Sequence, residues 1–446
     1  MDPQAKTAEL EDQCRYILKA ARAAGADEAF VSASYGLSAR IQYEKNDFNL
    51  AAYHEGGGFG ITVHKDQRQG AASVNTFSKE AVDEVVRQAL AFARFSIPDE
   101  YLGMAEKSDY IALPETFDPG MAELPMGELR RLAEAMIAAA KHDARVSLDG
   151  ASVERSAGVH VIANTRGVLA SDHSTSLNWY LMGMAIEGAD VTSFDHLSDF
   201  AYFLPGVESK VLETAGNLAQ RLLACLGAKP ARSFKGAVLL PACAVDELLL
   251  DPIVYHIVGR NIMDGKSRFS NSLGETIASP SVTFSDDPHD IALRGCTAWS
   301  GEGVPTRGMA LVERGVLKTH LDSVYSARRR GTKPTGNGGG PHGPLLAQGT
   351  RSLAELRRAA SPLLEFTRYS GSVDPITGDF SGLAKGGRLY VNGADQGPVK
   401  ETMIAGNTFE LLRRDLIMSD ERFDDSGSYR LPCVLVDGVS VTSAAS

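Results

Sequence analysis

Between Gly331 and Pro344 the chain carries three prolines, and five glycines fall within Gly336–Gly343. No regular element tolerates that density, because glycine is costly to order and proline removes a backbone donor. The segment is expected to be a long loop. From Ser281 onward the same grain persists, with dense glycines and short apolar runs. That is the pattern of a β-rich domain with many tight turns.

The first half has a different rhythm, in which helix, meander and helix follow one another. A helix with Thr7 as N-cap would place Leu10, Cys14, Ile17, Leu18 and Ala21 on one face and stop at Gly25. Short strands are expected over Ala29–Ala33 and Ala39–Tyr43, a turn at Lys45-Asn46-Asp47, and a further strand running to a break at Gly56-Gly57-Gly58. Phe59–Val63 is the next strand. Ser78 then caps a helix with the stripe Val82, Val85, Val86, Ala89, Leu90 and Ala93. Pro98–Pro125 is loop-rich, and the order then repeats. Leu129, Leu132, Ala133, Met136 and Ile137 form a helical stripe, strands flank the turn Asn164–Gly167, and Val211, Leu212, Leu218, Leu222 and Leu223 mark a third long helix. This suggests a duplicated layout. Lys229–Lys235 reads as a linker, followed by the buried strand Ala237–Leu240 and a helical region to about Val258, kinked or split at Asp251-Pro252. With 446 residues, two domains are expected: an N-terminal helix-plus-antiparallel-meander domain over 1–230 and a β-rich C-terminal domain over 231–446, an α+β protein.

Composition narrows the function. Hydrophobic residues make up 43% and the net charge is −11, which suits a soluble globular protein and repels phosphate backbones, so no nucleic-acid partner is expected. The five cysteines, Cys14, Cys225, Cys243, Cys296 and Cys433, form no C-x-x-C pair, so neither a disulfide framework nor a zinc ribbon is read here. The start Met1–Lys6 does not read as a signal peptide, and no apolar run approaches the roughly 18 residues of a membrane span. A cytoplasmic protein without a membrane partner is the expectation.

Several constellations have a bland and a sharp reading. Gly259–Ser267 has five residues before Gly265-Lys266-Ser267, one too many for a P-loop, and follows a helical pattern. Asp286-Asp287-Pro288-His289-Asp290 could ligate a metal, but the same residues build solvated turns, which is the preferred reading. Arg328-Arg329-Arg330 with Lys333 reads as a solvated face or partner contact. His160, His173 and His196 lack ligand spacing and read as structural. No Gly-x-Ser-x-Gly elbow is present, and spacing alone assembles no Ser/His/Asp set.

Gly301-Glu302-Gly303-Val304-Pro305-Thr306-Arg307 and Leu311-Val312-Glu313-Arg314-Gly315-Val316-Leu317 resemble the S-E-G-V-P-T-R and L-V-E-N-G-V-L runs of the TldD/PmbA family. Ile376-Thr377-Gly378-Asp379-Phe380-Ser381 and Thr402-Met403-Ile404-Ala405-Gly406-Asn407 resemble its T-G-D-F-S and T-I-A-G-N signatures. Gly58–Val63 and Gly70–Ser73 match its first-half pieces, so the likeness covers most of the chain in order. The family was once labelled a modulator of DNA gyrase.

The resemblance implies two kinds of subunit. TldD-type chains carry H-E-x-x-x-H on a helix after a buried strand, where two His hold zinc and the Glu serves as general base. PmbA (TldE)-type chains lack it. Here the corresponding stretch, Pro241–Pro252, has no His-Glu pair, and His256 has no His partner one turn away. The only His-Glu pair, His54-Glu55, precedes three glycines and has Phe59 where a second His would be needed. Cys433 falls near a TldD-type cysteine ligand, but its surroundings do not match. The implied role is a non-catalytic subunit that joins a TldD-type partner to degrade or mature small unfolded peptides. No catalytic residue, metal ligand or cofactor is expected in this chain, zinc being confined to the partner, and self-association is expected when the chain is alone. Gly301, Glu302, Gly303, Thr306, Arg307, Thr377, Gly378, Asp379, Ser381, Gly406 and Asn407 are the candidate peptide-binding or interface residues. Glycine-dense strands with Thr, Asp and Asn at their ends suit an edge that receives an extended chain, and equally suit tight turns and a subunit interface. A stand-alone peptide-binding scaffold and a hydrolase with a different site are the alternatives.

Overall fold

The computed structural model describes residues 1–45, 47–424 and 427–443. Leu10, Cys14, Ile17 and Ala21 form the buried face of α1 (Pro3–Ala23). The helix starts before Thr7. Asp2 is the N-cap, its carboxylate accepting the Gln4 and Ala5 N–H groups, and Pro3 suits a first turn where no donor is required. β1 (Glu28–Glu44) and β2 (Asp47–Lys65) form one long antiparallel hairpin. The two short strands expected in 29–43 are therefore one, and the break expected at Gly56–Gly58 lies inside β2. Close strand packing explains the glycines: a side chain at Gly58 would strike the Val74 carbonyl, and one at Gly57 the Ser34 carbonyl. Asn46, at the centre of the expected turn, lies outside the described residues. β3 (Arg68–Val74) and α2 (Lys79–Phe95), capped by Ser78 as expected, complete the first unit.

The order then recurs. The short α3 (Pro119–Ala122) interrupts the loop-rich stretch, followed by α4 (Met126–Ala140), β4 (Val146–Asn164), β5 (Leu169–Glu187), β6 (Asp190–Val191), β7 (Asp195–Ala201) and α5 (Val207–Leu223). β1 and β4 pair antiparallel from Phe30↔Asn164 to Glu44↔Gly150. Both meanders thus share one sheet, ordered β3-β2-β1-β4-β5-β6, with β7 also on β5. Helices α1 and α2 cover Val31, Ile61 and Val161, while α4 and α5 cover Ile41, Val153 and Trp179. Leu212, assigned to the buried stripe of the third long helix, is exposed, and Val207 and Ala215 help fill the core instead.

The expected linker Lys229–Lys235 already belongs to the second sheet. Lys229 and Pro230 pair with the strand Ala394–Lys400, and Phe234–Leu240 is a central strand. Arg430–Ser443 lies antiparallel on one side of that central strand and Leu363–Glu365 parallel on the other. The helical region after Leu240 is split as expected: an α-turn over Ala242–Val245, a π-helical stretch over Asp246–Leu250, and an α-helix over Asp251–Ile257. Residue 252, which in an α-helix would donate to the Leu248 carbonyl, is a proline without an N–H. The Thr408 hydroxyl donates to that carbonyl instead. Val245, Leu248, Leu249, Leu250 and Ile253 are fully buried in the main C-terminal core. Gly331–Gly343 is irregular as expected, and Pro344 opens the strand Pro344–Leu346. The whole is an α+β protein, and among the described residues no helix is long and apolar enough to cross a membrane.

Candidate functional site

Six of the candidate residues meet at one corner of the C-terminal sheet. The strand Asp379–Lys385 pairs antiparallel with Thr402–Asn407, setting Asp379 against Asn407, Phe380 against Gly406 and Ser381 against Ala405. Asn407 organises the corner. Its Nδ2 donates to the Thr377 carbonyl (2.9 Å) and to Asp379 Oδ1 (2.8 Å). Its Oδ1 caps the short helix Thr408–Leu411 by accepting from the N–H groups of Phe409 and Glu410. Gly378 sits at φ +83°, where a side chain would run into the Phe409 ring, so only glycine closes the turn from Asp374 to Asp379. Thr377, Asp379 and Ser381 are exposed there.

Beneath the corner lies the segment Ala242–Ile257. His256 is fully buried among Tyr255, Phe269 and Phe409. Its Nδ1 accepts the N–H of Arg268 (3.1 Å), which leaves the proton on Nε2. Nε2 faces the Pro375–Ile376 backbone without a full hydrogen bond. Burial, and then the Arg268 charge, pull the His256 pKa down to about 4, so the imidazole is neutral. Glu247 and Asp251 lie four residues apart on the same segment. Burial raises both carboxyl pKa values, and Asp251 raises that of Glu247 further. Burial and the nearby Glu247 push the Tyr369 phenol up to about 12. Tyr369 belongs to the strand Arg368–Val373, which pairs with Asp379–Lys385 and with no second strand among the described residues. The corner therefore borders a sheet edge with an unpaired ladder side.

The other candidates lie elsewhere. Gly301–Arg307 is a junction between the two halves of the chain. Tyr110 donates its hydroxyl to the Gly303 carbonyl (2.8 Å), and Gly303 lies against Ile162 of β4 and Val168 in the turn between β4 and β5. Glu302 accepts the Val324 N–H at the start of the helix Val324–Arg330, and burial raises its carboxyl pKa. Thr306 is buried, donating to the Thr297 carbonyl and meeting His289 Nε2 at 3.0 Å. Gly301 and Arg307 are exposed. No hydrogen bond among the described residues joins this group to the Thr377–Asn407 corner.

Two polar runs differ from expectation. Asp286 is buried rather than solvated, because it must tie down the glycine-rich loop: it accepts from Asn337 Nδ2 and from the N–H groups of His342 and Gly343. Arg330 is likewise turned inward, forking onto the buried Asp322 (2.8 Å) and reaching His320 Nδ1. Gly259–Met263 is a short helix, not a phosphate loop. His160 meets Ser32 Oγ, and His173 pairs with Glu115, as structural histidines do. His256, Arg268, Tyr369 and Phe409 were not singled out as site residues. His256 and Arg268 lie more than a hundred residues before the others, so only the fold brings them together; the Asn407-Thr408 cap signal points to Phe409.

Comparisons with known proteins place these observations in a family. Residues 28–93 match the model described as PmbA/TldA metallopeptidase domain 1, residues 121–223 the central domain, and residues 233–443 the C-terminal domain. The chain is 30% identical over 406 residues to Metalloprotease PmbA of Escherichia coli O157:H7, covering 88% of this chain and 87% of that protein. It is 27% identical over 457 residues to the Metalloprotease PmbA homolog of Haemophilus influenzae, covering 98% and 97%. Among solved structures, TldE from Thermococcus kodakarensis superposes with a TM-score of 0.85 at 23% identity, over 97% of this chain and 100% of that one. A candidate modulator of DNA gyrase from Thermotoga maritima does so with the same score at 24% identity, with the same coverage. These two likenesses are of fold.

Proposed function

The chain belongs to the PmbA/TldD metallopeptidase family, and from that premise we propose that it is a peptide-handling subunit that leaves bond cleavage to a zinc-bearing, TldD-type partner. The observation that carries this reading is the segment after the central strand. Its face toward the core is Leu248, Leu249, Leu250 and Ile253, and its one imidazole, His256, is buried with Nδ1 already engaged. A zinc ion takes three or four nitrogen, sulfur or oxygen donors. Among the described residues no group of three or more His, Cys, Asp and Glu is placed to hold a metal. The segment offers zinc a single imidazole, and that one is already engaged, which supports leaving the metal to the partner.

What the chain offers instead is backbone. The strand Arg368–Val373 has an unpaired ladder side, which an extended peptide can join by main-chain hydrogen bonds without regard to its sequence. The Thr377–Asn407 corner, next along the same three strands, presents exposed Thr377, Asp379 and Ser381 to such a chain. An unfolded peptide is the substrate class that this edge accepts, since a folded one has no free strand to offer.

The test is direct. The purified chain is given an unfolded peptide in excess chelator, and no cleavage is expected. Mixing with a TldD-type chain is expected to give a stable complex with chelator-sensitive cleavage. Cleavage by this chain alone would overturn the assignment, and failure to associate would leave a stand-alone binding protein.

A further inference from the structure

A cleft of about 580 Å³ opens beside the corner, lined among others by Arg268, Phe269, Ser272, Glu275, Phe409 and Arg413. Two guanidinium groups converge on it. The Arg268 guanidinium carbon sits over the Phe409 ring, 3.7 Å from its centroid. A cation–π contact uses up none of the guanidinium's N–H donors. Among the described residues neither Arg268 nor Arg413 forms an ion pair or a side-chain hydrogen bond, and Glu275, the carboxylate on the wall, pairs with neither. Partial burial, and then the Arg413 charge, lower the Arg268 pKa. Two guanidinium groups against one carboxylate, Glu275, which pairs with neither, give the cavity lining a net positive charge on a protein whose net charge is −11.

The cleft and the corner share a wall. Phe409, the platform for Arg268, is also the ring against which Gly378 packs, and its N–H is capped by Asn407. Arg268 also supplies the N–H that fixes His256. A chain lying across Thr377 and Asn407 passes within one aromatic ring of the two arginines.

We propose that Arg268 and Arg413, on the Phe409 platform, form a subsite for a carboxylate of the bound peptide, so that this protein prefers unfolded peptides carrying an acidic group at that position. This rests on the peptide-binding reading above. A carboxylate suits the site because a guanidinium presents paired N–H donors at the spacing of its two oxygens. Either an acidic side chain or a terminal carboxylate carries that chemistry.

Three fluorescent, unstructured peptides separate the possibilities: one with two Glu and an amidated end, one with Gln at both positions and a free C-terminus, and one with Gln and an amidated end. Each is titrated by anisotropy into the full chain and into the R268Q/R413Q variant, whose unfolding midpoint is checked against the parent. At least one carboxylate peptide is expected to bind the parent about fivefold tighter than the neutral one, with the advantage shrinking as salt rises and lost in the variant. The charge-reversed R268E/R413E variant is expected to prefer a Lys-containing peptide instead. Equal affinities in the parent, or a preference that survives in R268Q/R413Q, would overturn the subsite while leaving peptide binding intact. Binding of none of the peptides would overturn both readings.

Discussion

The hydroxyl of Thr408 donates to the carbonyl of Leu248, a bond between residues 160 positions apart. It replaces the donor that Pro252 lacks, and it fastens the end of the Thr402–Asn407 strand to the π-helical stretch in the core. The bond thus ties the Asn407 corner directly to the segment beneath it.

Thr408→Val removes that donor at nearly constant volume and strands a buried carbonyl. The expected loss is about 1–3 kcal/mol of stability, read as a lower urea midpoint with unchanged slope. Thr408→Ser, which keeps the hydroxyl, is expected to recover most of it. Equal stability of the valine variant and the parent would show that the Leu248 carbonyl has another donor.

His256 sets an acid limit. Its folded pKa is near 4, below the roughly 6.5 of an unfolded histidine, so the unfolded chain takes up the proton first. The stability due to the neutral ring is fully present above about pH 6.5 and is lost as pH falls toward 4, levelling off below that. His256→Asn, whose amide oxygen can accept from Arg268 N–H as Nδ1 does, is expected to flatten this dependence. Urea midpoints between pH 4 and 7.5 for both proteins decide it. Parallel curves would mean that His256 is not the group responsible.

Asn407 is expected to be irreplaceable by its closest relative. Asn407→Ala loses the cap and the bonds to Thr377 and Asp379, at a cost of about 1–2 kcal/mol. Asn407→Asp keeps the cap acceptor but sets a carboxylate against Asp379 Oδ1, now 2.8 Å from the amide nitrogen. The aspartate variant is expected to be at least as unstable as the alanine one at neutral pH, because two carboxylates at that distance repel. Amide exchange at Gly378 and Phe409 reports the corner itself, and unchanged protection in both variants would remove Asn407 from its organising role.

The helices were largely legible because α2 and α4 bury the stripes that periodicity marked, Val82 to Ala93 and Leu129 to Met136. Strand ends were less so. Gly56–Gly58 reads locally as a break, and only the neighbouring Val74 and Ser34 carbonyls show why glycine sits mid-strand. Buried charges were misread for the same reason: nothing beside Asp286 or Arg330 in sequence announces Asn337 or Asp322. Thr377–Ser381 and Gly406–Asn407 lie together at one corner, whereas Gly301–Arg307 lies apart from it, at the junction between the halves. Arg268 and Arg413, 145 residues apart, could be joined only by folding.

The β1–β4 pairing has a consequence for how the first half is inherited and handled. Fifteen residue pairs stitch the two similar units along that seam. Each unit expressed separately would bare a long, unsatisfied edge and invite aggregation or swapping with a sister molecule. The seam thus binds two folding modules into one indivisible cooperative block, so a cut in the Pro98–Pro125 connection should nick the chain without letting the pieces drift apart.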